Sequence, residues 1–284
     1  MKKIFTLIIE LIHQIRNRSK FRSVMQMEVF GMKIIGQGHM IAGYSSLDHA
    51  TFLNTLKEEV NFLKKLKSKN EITIVDAGAN LGFYSIFYSM IEDVNVISFE
   101  PFPETFKYLE QNISSNKISN IKPLELGLFS ETTEMSIGSP NAFNFYSFFT
   151  KIFKFTDKDQ AGCASVFTSE KTAPVAKFIK GDDCSELRLQ KHIDLIKIDV
   201  EGSELFVLKG LKETILKKKP ALIIEFSTHA LLAANVSSQE IWNYLRELGY
   251  SKFNLCGADY SSHKWRSMEQ IPEIKGAADY FFIC

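Results

Sequence analysis

The chain lacks a C-x-x-C pair, a charge excess of either sign, an apolar run long enough to span a bilayer, and any internal repeat or low-complexity linker. Its four cysteines (Cys163, Cys184, Cys256 and Cys284) are far apart, which argues against a disulfide framework or zinc site and for reduced thiols in a cytoplasmic protein. With 34 Lys and Arg against 33 Asp and Glu, the net charge is +1, and no basic stripe with interleaved aromatics is present. A nucleic-acid partner is therefore not expected. Short basic runs such as Lys64-Lys65-Leu66-Lys67 and Lys217-Lys218-Lys219 read as helix ends, where cations complement the dipole. The apolar run from Ile4 to Ile12 is too short for a span, is broken by Glu10, and leads to no small-residue cleavage site. Arg16, Arg18, Lys20 and Arg22 follow it, so residues 1–23 read as a basic amphipathic helix. Two readings stay open: docking on the main domain, or peripheral contact with the inner face of a membrane.

What is present is an ordinary globular composition, 45% hydrophobic and 24% charged over 284 residues. That length allows one large α/β domain at 71–284 preceded by an appendage at 1–70. In the appendage, Met27–Phe30 and Met32–Ile35 flank Gly31 as a hairpin, and the glycines at 36, 38 and 43 read as loops. A cap helix then runs from Ser46, its N-cap, to about Lys69, with Phe52, Leu56, Val60 and Leu63 at helical spacing. From residue 72 strands are expected near 72–76, 94–99, 121–126, 193–199, 220–226, 252–256 and 279–283. Helices fall near 82–91, 103–115, 202–218 and 237–248. This alternation predicts a doubly wound, Rossmann-like α/β fold with a mostly parallel, seven-stranded sheet. Only a loop separates the last two strands, which leaves no room for a crossover helix and makes the final strand antiparallel.

The most informative stretch is Ile72-Thr-Ile-Val-Asp76-Ala-Gly78-Ala-Asn80-Leu-Gly82-Phe-Tyr84. Its β-branched run suits a central parallel strand, and Asp76 falls at the carboxyl end, where open α/β sheets bind ligands. Gly78 and Gly82 suit a turn that must bring backbone close to a cofactor. A second strand, 94–99, ends in Glu100, placed as expected for an acid that accepts two hydrogen bonds from ribose hydroxyls. Gly78 to Gly82 is G-x-x-x-G, not the dinucleotide G-x-G-x-x-G, so no pyrophosphate cradle is present. Asp76 would also repel a diphosphate and favour a cationic ligand. S-adenosylmethionine meets these terms, with its ammonium, its sulfonium and a free ribose.

Two further acidic sites carry chemistry. In Ile193-Asp-Leu-Ile-Lys197-Ile-Asp199-Val-Glu201-Gly202-Ser-Glu204 an apolar strand presents Lys197, Asp199 and Glu201 at period two. Such charges are costly to bury unless paired. A Lys–Asp pair closing the sheet top, with the glutamates favouring the next helix, is the plain alternative to a catalytic role. The strand Ala221–Phe226 delivers Glu225, followed by His229, which reads as a loop or helix-start histidine. Asp199, Glu201 and Glu225 could each take a proton from an attacking hydroxyl. A divalent metal held by these carboxylates stays open, but no specific spacing supports it and none is assigned.

These segments resemble the FkbM-type methyltransferases: DAGANLGFYS at 76–85, SFEPFPETFKYLEQN at 98–112, IDLIKIDVEGSELFVLKG at 193–210 and PALIIEF at 220–226. The resemblance implies an S-adenosylmethionine-dependent O-methyltransferase domain acting on sugars or natural-product hydroxyls. By the same resemblance Asp76, Gly78, Asn80, Gly82 and Tyr84 line the methionine end, and Glu100 holds the ribose with Pro101 shaping the turn behind it. Leu126, Gly127 and Leu128 lie along the adenine, and Asp199 and Glu201 face the transferred methyl. Ala77 stands where the family commonly has valine, and Asp182-Asp183 departs from its Thr-Leu-Asp step. The aromatic segment 143–155 reads first as core packing, with a lid that closes over an acceptor or an exposed patch as the alternatives. An N-methyltransferase, a small-molecule O-methyltransferase and a non-catalytic cofactor-binding module remain alternatives, and oligomeric state is not readable.

Overall fold

The computed structural model describes residues 24–45, 47–137, 166, 174–256, 265–269, 272 and 276–284. The expectations for residues 1–23, Ser46, Cys163 and the aromatic segment 143–155 fall outside these residues.

A hairpin of β1 (Val24–Val29) and β2 (Met32–Gln37) opens the described chain. Two helices follow, α1 (Gly38–Ser45) and α2 (His49–Lys67). Gly38 and Gly43 thus fall inside a helix rather than a loop. Buried Met40 and Ile41 outweigh two poor helix formers there. Asp48 caps α2, its carboxylate accepting from Ala50 N and Thr51 N, so the helix starts later than its periodicity implied.

The main sheet is built from β3 (Ile72–Ala77), β4 (Val94–Phe99), β5 (Ile121–Leu124), β9 (Leu195–Ile198), β10 (Ala221–Ser227), β11 (Lys252–Leu255), β12 (Arg266–Ser267) and β13 (Ala277–Ile283). Their order is β12-β11-β13-β10-β9-β3-β4-β5. The run from β5 to β10 is parallel, and β13 pairs antiparallel with both β10 and β11. All seven expected strands are present, and among the described residues the two-residue edge strand β12 makes eight.

Alternation along the strands feeds two cores. Ile72, Ile74, Val94 and Val96 pack with α2, α3 (Phe83–Ser89) and α4 (Pro103–Ser115). Val75, Ala77, Ile97 and Phe99 pack on the other face with α6 (Glu204–Gly210), α7 (Lys212–Lys218) and α9 (Ser238–Glu247). The helix expected over 202–218 is therefore two, broken at Leu211. Short α-helices α5 (Ser185–Arg188) and α8 (Thr228–Ala233) and a 3-10 turn at Gly181–Asp183 complete the set among the described residues.

The hairpin is stitched to the same body. Buried Asn112 of α4 accepts from Ile35 N and donates to the carbonyls of Ile35 and Leu81. One feature has no counterpart in the strand pattern: a second sheet, β6-β8-β7, from β6 (Gly127–Phe129), β7 (Thr133–Ser136) and β8 (Val175–Lys180). It stands beside the carboxyl end of β5 and supplies one wall of the site.

Candidate active site

The carboxyl ends of β3, β4, β9 and β10 converge on a cavity of about 190 Å³. The turn after β3 sets its floor. Gly78 N and Ala79 N both donate to Phe99 O at 2.9 Å, and Asn80 N donates to Glu100 Oε2 at 2.8 Å. Gly78 has φ +85°, and a Cβ there would lie 1.9 Å from Asp199 O. Gly78→Ala should therefore destabilise the protein by more than the roughly 1–2 kcal/mol of left-handed backbone alone. Urea unfolding checks this, and an unchanged midpoint would remove the close-approach role. Asn80 occupies the same region, φ +53°, eased by its own side chain accepting from Leu81 N at 2.8 Å.

Asp76 is fully buried. Ser85 Oγ donates to its Oδ2 at 2.6 Å, while Oδ1 is buried with no hydrogen-bond partner among the described residues. Burial pushes the Asp76 carboxyl up from the usual range, against the opposing pull of Lys197 and Ser85. Glu100 is also buried, with Oε1 accepting from Phe102 N and Oε2 from Asn80 N, each at 2.8 Å. Burial raises it to about 7 even though both backbone bonds favour the carboxylate.

Lys197 is the pivot. It stands opposite Asp76 in the β3–β9 register, its Nζ donates to Asp199 Oδ2 at 2.8 Å, and it lies 4.2 Å over the Tyr84 ring. Burial pulls its ammonium down most, but Asp199, Asp76, Tyr84 and Asp279 together outweigh that and hold it well above its usual range. Beyond β9, Glu201 is held at φ +51° and joins Asp199 at the cavity wall. Parallel pairing of β9 with β10 brings Glu225 alongside, so that carboxylate oxygens of Asp199, Glu201 and Glu225 lie within 4.8 Å of one another. Sequence spacing pointed to no metal set, yet these three could hold a divalent cation. Burial, then Asp199, Glu201 and Asp279, push the Glu225 carboxyl well above the usual range.

Of the residues expected at the site, Asp76, Gly78, Asn80, Tyr84, Glu100, Pro101, Gly127, Lys197, Asp199, Glu201 and Glu225 all line the cavity. Gly82 and Leu126 do not. Gly82, φ +84°, opens α3, and a Cβ there would meet Leu109 Cδ1 at 2.5 Å, so it serves close packing of α3 on α4. Leu126 sits in the bend between β5 and β6, where the strand period is lost, and packs beside Leu124 on the second core. Leu128, expected beside the adenine, lines the cavity, and Ile137, Val166 and Phe178 complete its apolar wall. Tyr44 of α1 also reaches the cavity, stacked on Phe83 with centroids 4.3 Å apart.

Residues 76–252 match the family described as the methyltransferase FkbM domain. The chain belongs to this family. Over 162 residues this FkbM-family chain is 26% identical to Methyltransferase 1 of Beauveria bassiana, with 49% of the chain and 58% of that protein covered. It is 28% identical over 184 residues to the hexuronic acid methyltransferase AglP of Haloferax volcanii, with coverages of 62% and 68%. Among solved structures, methyltransferase FkbM from Methylobacillus flagellatus is 18% identical, with 75% of the chain and 43% of that structure covered and a TM-score of 0.44. The chain spans 58% of the length of the Beauveria relative, less than two thirds.

Proposed function

We propose that this FkbM-family chain binds S-adenosylmethionine and methylates a hydroxyl, that of a saccharide. The observation that carries the reading is one cavity holding an unpartnered buried carboxylate oxygen, Asp76 Oδ1, beside a buried Glu100 and a cluster of three acids. Asp76 Oδ1 fits the ammonium of the cofactor's amino-acid part. Glu100, held by two backbone N–H groups, keeps lone pairs for a ribose diol. Leu128, Ile137 and Phe178 offer an apolar wall for an adenine. When bound, the cofactor supplies an electrophilic methyl on a sulfonium.

This chain's own residues supply orientation and proton handling. Lys197 fixes Asp199 at the cavity wall, and Glu225 is the group best suited to accept the acceptor hydroxyl's proton. The name of the Haloferax relative gives a hexuronic acid as substrate, which supports a saccharide class for the acceptor.

Calorimetry with S-adenosylhomocysteine tests the cofactor assignment, with NADH titrated in parallel. Because Glu100 titrates at about 7 and its ionised form accepts from ribose hydroxyls, affinity should rise with pH through that value. Binding about tenfold weaker at pH 6 than at pH 8 follows from one linked proton. Glu100→Gln should bind weakly at both pH values and flatten the profile. Flat binding by the wild-type protein would remove Glu100 from the ribose, and binding of NADH alone would overturn the cofactor.

A further inference from the structure

A second cleft, of about 330 Å³, opens between the first half of α2, the start of α3 and β13. Tyr84 lines both this cleft and the catalytic cavity. Its ring carries Lys197 Nζ at 4.2 Å, while its hydroxyl donates to Asp279 Oδ2 at 3.4 Å. A facing pair of residues also links the linings of the two spaces. Glu225 lines the first, Asp279 lines the second, and they are direct partners in the antiparallel β10–β13 register.

Directly opposed residues share a face, and like charges there are destabilising. The Glu225–Asp279 pair is therefore a cost to the fold that the nearby Lys197 ammonium, acting on both carboxyls, offsets only in part. The cleft's walls combine Phe52, set edge-on to Tyr84 at 4.9 Å, with the hydroxyls of Thr51 and Thr55. Aromatic faces beside hydroxyl and carboxylate acceptors match the CH faces and hydroxyls of a sugar ring. Charge narrows the class further. Among the described residues lining the two spaces, Lys197 is the one ammonium, set against Asp48, Glu59, Asp76, Glu100, Asp199, Glu201, Glu225 and Asp279.

We infer that the cleft between α2, α3 and β13 is the acceptor pocket, and that it takes a neutral or amino-bearing saccharide and rejects a uronate. This rests on the methyltransferase reading above and departs from the acidic substrate named for the Haloferax relative. The Glu225–Asp279 pair lies at the joint between pocket and cavity, where a carboxylate on the acceptor would meet both acids.

Three probes test it on protein loaded with S-adenosylhomocysteine, at a pH high enough to ionise Glu225: methyl glucoside, methyl glucosaminide and methyl glucuronide, compared by saturation-transfer NMR. The first two should bind, and the glucuronide should bind at least about tenfold more weakly, since like-charge juxtaposition is felt at this size or more. Thr55→Trp, which fills the cleft, should abolish probe binding and leave S-adenosylhomocysteine affinity unchanged. Asp279→Asn should narrow the glucuronide gap to about threefold or less, as one of the two facing charges is removed. A glucuronide that binds as tightly as the glucoside, no binding by any probe, or full probe binding in Thr55→Trp would overturn the inference. Loss of S-adenosylhomocysteine binding by the wild-type protein would instead overturn the cofactor reading on which it rests.

Discussion

Lys197→Met is expected to lower stability by about 3–5 kcal/mol, the size found when one partner of a buried ion pair is removed. The wild-type ammonium is 2% exposed, bonded to Asp199 at 2.8 Å and opposite the fully buried Asp76 in the register. Methionine has similar length and an apolar end, so packing under Tyr84 is largely kept and the loss is mainly electrostatic. Asp199 is 31% exposed and can turn to water, but Asp76 cannot, and its Oδ1 already lacks a partner among the described residues. The variant's deficit should depend on pH in a definite direction. Burial already holds the Asp76 carboxyl above the usual range, with Lys197 opposing; without the cation it rises further. An acid with a raised folded-state pKa keeps a proton that the unfolded chain has released, so stability falls as pH rises through that interval. The deficit should thus be smallest at low pH and largest at neutral pH. Urea titrations of both proteins across pH 5 to pH 8 read it directly. A pH-independent deficit would assign the loss to packing rather than to Asp76.

That pivot was half legible in the sequence. Period two along Ile193–Glu201 places Lys197 and Asp199 on one face, and their pairing follows because neither is tolerated alone in a strand that is otherwise buried. The plain alternative, a Lys–Asp pair at the sheet top, is therefore correct as geometry, and the same pair still lines the cavity. Local signals also carried the turn from Asp76 to Tyr84 and the acid at 100, since both depend on a few adjacent residues. What escaped depended on distance along the chain. Gly127 and Phe178 are partners in the β6–β8 register, yet no local pattern links them. Leu128 was for that reason legible beside Gly127, while Phe178, which completes the same wall, was not. Tyr44 was hidden because glycines at 38 and 43 read as loop, and only packing on Phe83 reveals a helix. The metal-capable trio closes through the parallel pairing of β9 with β10, which no spacing within either strand encodes.

Glu225→Gln is expected to lower kcat by about 10²–10⁴-fold, the usual contribution of a positioned general base. Its carboxyl is lifted well above the usual range by burial first, then by Asp199, Glu201 and Asp279. A base so lifted is better matched to a hydroxyl proton than an ordinary carboxylate, provided the pH is high enough to ionise it. Wild-type kcat should accordingly climb with pH through Glu225's raised value, well above the ordinary carboxylate range, and the glutamine variant should lose that limb. Gln keeps the size and a hydrogen-bonding amide but accepts no proton, so the fold and S-adenosylhomocysteine affinity should be retained. At pH values high enough to ionise Glu225 it also relieves the like-charge contact with Asp279 across β10 and β13, so thermal stability should rise rather than fall there. More stable and much slower is the pairing of effects that a strained catalytic acid predicts. A variant that is stabilised yet keeps kcat within about threefold would leave Glu225 a charge-setting residue, a general base being worth at least about a hundredfold. A kcat that rises with added Mg²⁺ in the wild-type protein, and not in the variant, would make Glu225 a cation ligand together with Asp199 and Glu201.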